Sequence, residues 1–87
     1  SANFPNPTSA GTTIPFYLPA DDDILLNVLD MNGKVVKQLA FGQYPAGNHT
    51  VEWDGTNAAG TPVASGVYIY QLHTSSDVFG QQMIIQR

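Results

Sequence analysis

The chain has 87 residues, no cysteine, three basic residues against seven acidic ones, and a formal net charge of −4. That length makes one domain. The lack of cysteine excludes disulfides and thiolate chemistry, and so few cations exclude the basic surface that displaces counterions from nucleic acid. No stretch is apolar enough for a membrane-spanning helix, and the first residues lack the basic and apolar regions of a signal peptide. Without an initiator methionine, the chain is expected to be a domain cut from a larger secreted protein.

Apolar residues alternate in twos, and Gly, Pro, Asn and Asp punctuate them at short intervals, so strands rather than helices are predicted. Phe4-Pro5-Asn6-Pro7 reads as an extended edge segment, because its prolines cannot donate to a ladder. The first clear strand is 12–18, with Ile14, Phe16 and Leu18 inward; Pro15 within it predicts an open edge or a bulge. Residues 19–23 turn the chain, and 24–30 forms a strand with Ile24, Leu26 and Val28 inward. Asp30-Met31-Asn32-Gly33 reads as a tight hairpin, Asn-Gly being suited to the positive φ of a two-residue turn.

The return strand, 34–40, is expected to place Val35 and Leu39 on one face and Val36 on the other. A turn at 44–47 leads to a strand over 48–53, with Val51 and Trp53 inward. A polar loop over 54–65 precedes a strand from Val67 to Thr74, in which Tyr68, Tyr70 and Leu72 share a face. After a turn near Ser75-Ser76-Asp77, the strand 78–86 closes the chain, kinked or bulged at Gly80. About seven short strands with turn signals every eight to twelve residues predict an all-β, immunoglobulin-like antiparallel sandwich.

Chemistry is thinly represented. His49 and His73 fall on different strands and no nucleophile elbow accompanies them, so the domain reads as non-catalytic, with no cofactor. Asp21, Asp22 and Asp23 are weak calcium candidates, since carboxylates suit a hard ion, but the alternating ligand spacing of a calcium loop is missing. Asp54 is a second weak candidate, explained equally by an Asx-turn. Trp53, Tyr68 and Tyr70 fit a sugar-stacking row only if exposed, and their phase with Val51 and Leu72 places them in the core. Leu25, Leu29, Val36, Val67 and Ile69 point to the opposite faces. A covering second sheet is the favoured reading of them, an exposed partner surface the other.

Several elements in order carry a resemblance: Pro5-Asn6-Pro7, the stretch Val28 to Val36, the stretch Ala46 to Gly55, Ser65-Gly66-Val67-Tyr68, and the final Met83 to Arg87. Together they resemble the type A C-terminal sorting domain of the type IX secretion system of Bacteroidetes, which overlaps in sequence with the immunoglobulin-like domain of flagellar hook-capping proteins. The basic residue Arg87 after an apolar strand favours the sorting domain; the long 54–63 loop is closer to the hook-capping version.

The resemblance implies a secretion signal that directs an N-terminal cargo domain across the outer membrane. Its implied partners are an outer-membrane translocon and a sortase-like peptidase. The protein would pass through the periplasm to the cell surface or the medium. The implied recognition residues are Gly33, Lys34 and Val35 in the hairpin, Gly66 and Tyr68 at the start of a strand, and Met83, Ile84, Ile85, Gln86 and Arg87 at the end. The alternative is an immunoglobulin-like accessory or spacer module of a multidomain secreted protein, one acting on polysaccharide for example.

Overall fold

The computed structural model describes residues 11–87. The Phe4–Pro7 segment, the first of the seven expected strands, lies outside them. Six strands follow in order: β1 (Thr12–Leu18), β2 (Asp22–Leu29), β3 (Val35–Tyr44), β4 (Gly47–Trp53), β5 (Gly66–His73) and β6 (Val78–Ile85). They form two antiparallel sheets, β1-β4 and β3-β2-β5-β6. The architecture is the all-β, immunoglobulin-like sandwich that the alternation predicts.

The core lies between the sheets and is filled by the inward residues of every strand. Ile14, Phe16 and Leu18 of β1 are buried, as are Ile24, Leu26 and Val28 of β2. Tyr68, Tyr70 and Leu72 of β5 and Met83 and Ile85 of β6 continue the β2 row across the four-stranded sheet and face the β1 row, with Trp53 of β4 in the same core. Side chains at positions i and i+2 share a face, so each strand contributes a continuous row. The β1–β4 register runs unbroken from Thr12↔Trp53 to Leu18↔Gly47. Pro15 therefore makes no bulge, and among the described residues β1 has a neighbour on one side only.

Four local expectations are corrected. The 30–34 hairpin has a three-residue loop. The Gly33 amide donates to the Asp30 carbonyl (3.0 Å) and the Asp30 amide to the Lys34 carbonyl (2.9 Å). Gly33 has φ of +82°, and among the described residues no non-glycine has positive φ. A two-residue turn would need positive φ at Asn32 as well; a turn closed by a left-handed glycine does not.

The second correction concerns β3, which runs to Tyr44 and carries two register shifts against β2, between Leu26 and Asn27 and between Val28 and Leu29. Each extra residue reverses the phase of the side chains. Val36 and Leu39 therefore both pack on the core, while Val35 is exposed.

Third, the pairing of β5 with β6 passes one-for-one through Gln71↔Gly80, so Gly80 makes no bulge. Fourth, the second sheet does not cover Leu25, Leu29, Val67 and Ile69. It packs on the opposite face, against their inward neighbours, and these four are half-buried on the outside of the four-stranded sheet.

Candidate functional site

The polar features gather at the end of the sandwich where the β2–β3 hairpin meets the β4–β5 loop. The loop is built from Asx-turns, in which a short side chain replaces a backbone acceptor. Asp54 Oδ1 accepts from the Thr56 amide (3.1 Å) and hydroxyl (2.6 Å). Lys37 Nζ donates to the same carboxylate (3.3 Å) and to Thr56 Oγ1 (2.8 Å). The Thr56 hydroxyl chiefly, aided by the Thr56 amide and by Lys37, holds the Asp54 carboxyl below the ordinary aspartate range, with slight burial opposing.

Asn57 repeats the device, its Oδ1 accepting from the Ala59 and Thr61 amides (both 3.0 Å). The Ala58 amide ties the loop to β3 through the Val36 carbonyl (3.1 Å), and Trp53 Nε1 donates to the Thr56 carbonyl (2.9 Å).

Arg87 closes this loop from below. Its Nε donates to the Val63 carbonyl (2.6 Å), its Nη2 to the Gly55 carbonyl (2.8 Å), and its amide to Ser65 Oγ (3.0 Å). The Val63 amide donates to that same Gly55 carbonyl (2.9 Å). One planar guanidinium thus joins the two limbs of the loop, a geometry that its fixed fork of donors suits. Tyr68 donates its hydroxyl to the Ala64 carbonyl (2.8 Å), and its ring meets Trp53 edge-on at 5.7 Å. A cleft of about 520 Å³ runs between the hairpin and the loop, lined by Asp30, Lys34, Val36, Ala58, Pro62 and Tyr68 among others.

The residues expected to mediate recognition separate into two groups. Gly33, Lys34 and Val35 are exposed on the hairpin, and Ile84, Gln86 and Arg87 are exposed near the end of the chain. Tyr68, Met83 and Ile85 are buried in the core, and Gly66 is half-buried opposite Ile85. In the folded domain, alternate members of the 83–87 stretch are inaccessible to a partner.

The aspartates do not converge. Asp22 and Asp23 begin β2, and not a turn as expected. Asp21 Oδ1 accepts from the Ala46 amide (2.8 Å), and the Asp22 carboxylate from the Asp23 and Ser75 amides. Asp54 lies in the β4–β5 loop. Among the described residues no three His, Cys, Asp or Glu side chains form a metal-holding group. His49 is spent on the Pro45 carbonyl (2.7 Å) and stacks on Phe16 at 5.1 Å, while His73 bonds Gln71 Oε1 (2.8 Å) on the other sheet. Sequence reasoning missed the Arg87 contacts and the Lys37–Asp54–Thr56 cluster, because both depend on long-range placement.

Fold and site together define an immunoglobulin-like module whose polar side chains are spent on holding its own loops. The chain belongs to the FlgD Ig-like domain family, whose model matches residues 5–77. It is 35% identical over 79 residues to the basal-body rod modification protein FlgD of Salmonella typhimurium, covering 86% of this chain and 33% of that protein. It therefore spans about a third of the length of the curated relatives it matches.

Among solved structures it is similar to FlgD of P. aeruginosa, with a TM-score of 0.67 and 28% identity over 86% of this chain and 60% of that one. FlgD from Xanthomonas campestris, described for hook capping in flagellar assembly, gives a TM-score of 0.68 at 24% identity over 97% of this chain and 62% of that one. PorZ, a type IX secretion component of Porphyromonas gingivalis, gives 0.70 at 22% identity over 99% of this chain and 11% of that one. Identity that low shows a shared fold only.

These findings overturn the sorting-domain reading. The matching family and the relatives above 30% identity are flagellar, not secretion signals. The translocon, the sortase-like peptidase, the N-terminal cargo domain and the route through the periplasm to the cell surface are withdrawn with it. So is the alternative of an accessory module in a secreted, polysaccharide-acting protein. The sorting motifs misled because they serve this fold: Gly33 closes the hairpin, Trp53 packs edge-on against Tyr68, and Met83 and Ile85 fill the core.

Proposed function

We propose that this domain is a non-catalytic structural module of a larger flagellar protein of the rod-modification, hook-capping type. The single observation that carries the reading is the 35% identity to FlgD over 86% of the chain. The site agrees in character. Asp54, Asn57, Tyr68 and Arg87 hold the β4–β5 loop against the sandwich, and both histidines are engaged in local hydrogen bonds. A module of this kind presents a rigid surface to neighbouring subunits. The hairpin residues Gly33, Lys34 and Val35, beside the cleft, are the candidate contacts with those neighbours.

The test is a graft. The matching segment of Salmonella FlgD is replaced by this chain, and hook formation and swarming are measured in a strain lacking its own FlgD. Restored hooks are expected, with Lys34→Glu reducing them. A chimera that accumulates at normal levels and folds, yet forms no hooks, overturns the proposal.

A further inference from the structure

The outer face of the four-stranded sheet carries an apolar surface that the fold itself does not use. At one end the cross-strand row Phe41, Leu25, His73 and Val78 runs from β3 to β6. At the other end the row Val35, Leu29 and Ile69 ends at the exposed Gln82, with Val67 and Ile84 beside it. Phe41 is 73% exposed, Val78 58%, Val35 51% and Ile84 43%. Between the two ends runs a polar waist, in which Gln38 and Gln71 flank the buried Asn27, ending at Gly80. Exposed large apolar residues grouped in this way mark interaction surfaces.

We propose that two copies of the domain meet through this face. The distribution of charge selects the occupant. The chain is acidic, so two copies repel on average. Yet of its acidic residues only Asp23 lies on this face, at the rim opposite Gln43. Asp30 sits in the hairpin, Glu52 faces outward on the other sheet, Asp54 is in the β4–β5 loop and Asp77 in the β5–β6 turn. Lys34, Lys37 and Arg87 also lie off the face. A strongly charged partner therefore finds only the rim carboxylate of Asp23 as a counter-charge, whereas a second copy meets no charge away from that rim.

The pattern is also self-complementary. A two-fold axis along the waist sets Gln38 and Gln71 against their own copies and lays each apolar end on the other end of the partner copy, as an isologous interface requires. Sheets pack in this aligned manner about 10 Å apart. Four strands at ~4.8 Å spacing and eight residues at ~3.3 Å rise give a face of about 500 Å². Two such faces bury about 1,000 Å², the lower end of specific interfaces, so the pair is a reversible one.

Sedimentation velocity from about 10 μM to about 1 mM covers the range expected of so small an interface. The wild-type chain is expected to pass from monomer to dimer within it. Ile69→Lys on the inner strand β5 and Ile84→Lys at the rim should each weaken the dimer at least tenfold. Thr50→Lys, on the outside of the other sheet, should leave it intact. Because the copies share a negative charge, added salt should tighten the pair.

A chain that stays monomeric throughout overturns the proposal and leaves the face to a different partner. So does a dimer that tolerates Ile84→Lys, or one that salt dissolves. Should Ile69→Lys fail to fold, Ile84→Lys and Val35→Lys, at exposed rim positions, decide the matter alone.

Discussion

Replacing Arg87 by alanine should open the β4–β5 loop and lower the stability of the whole domain. The change removes two charge-assisted hydrogen bonds, to the Val63 carbonyl at 2.6 Å and the Gly55 carbonyl at 2.8 Å. Hydrogen bonds to charged groups contribute roughly 1.5–3 kcal/mol when fully shielded. Arg87 is exposed and water can replace it on both carbonyls, so about 1–2 kcal/mol for the pair is the reasonable magnitude. For a domain this small, that lowers the melting temperature by about 4–15 °C. Arg87→Lys keeps the charge but cannot span both carbonyls, and should recover less than half of the loss.

Thermal unfolding followed by circular dichroism reads the global term. Amide exchange at Val63, whose N–H donates to Gly55, reads the local one. If Arg87→Ala melts within about 1 °C of wild type and Val63 exchange is unchanged, the guanidinium holds nothing and the reasoning fails.

Three further outcomes are expected. Gly33→Ala should cost about 1 kcal/mol in urea unfolding, since φ of +82° is unfavourable for a side chain although no atom lies within 4 Å of the added Cβ; an unchanged midpoint would refute this. In a carboxyl-carbon NMR titration Asp54 should titrate below the ordinary aspartate range, and Thr56→Val should move its midpoint upward, because the Thr56 hydroxyl is the largest cause of the shift. A folded pKa below the unfolded one adds stability above the unfolded value and loses it as pH falls through the folded value, so Asp54→Asn should flatten the acid limb of the stability curve. Trp53 is buried, so its fluorescence should resist acrylamide until the domain unfolds; ready quenching in the native state would contradict the packing.

The regular strands were legible because period-two alternation leaves little choice. Ile14, Phe16 and Leu18, or Tyr68, Tyr70 and Leu72, can share a face only in an extended chain. β3 was illegible for the same reason in reverse: two extra residues break the phase, and nothing local in Val35 to Ala40 announces them. Asn32-Gly33 suits both a two-residue and a three-residue loop, so the hairpin was visible but its length was not. At the candidate site the Asx-turns could be read from Asp54 and Asn57, whose acceptors lie a few residues away. The Arg87 contacts span 24 and 32 residues of sequence, to carbonyls that any residue could supply. The choice between families failed at a different level, because Gly33, Tyr68 and Arg87 hold turns and loops of this fold.

The irregularity of β3 has a consequence at the rim of the molecule. β3 forms one border of the four-stranded sheet, where an uninterrupted row of backbone donors and acceptors would invite a stray strand to join. Its two register shifts put that row out of step, and the Ala58 amide already takes the Val36 carbonyl. An incoming chain could follow this border for only a few residues before losing its partners. The same misfit that lets Val36 and Leu39 both reach the interior thus guards a disulfide-free domain against open-ended polymerisation through its border strand.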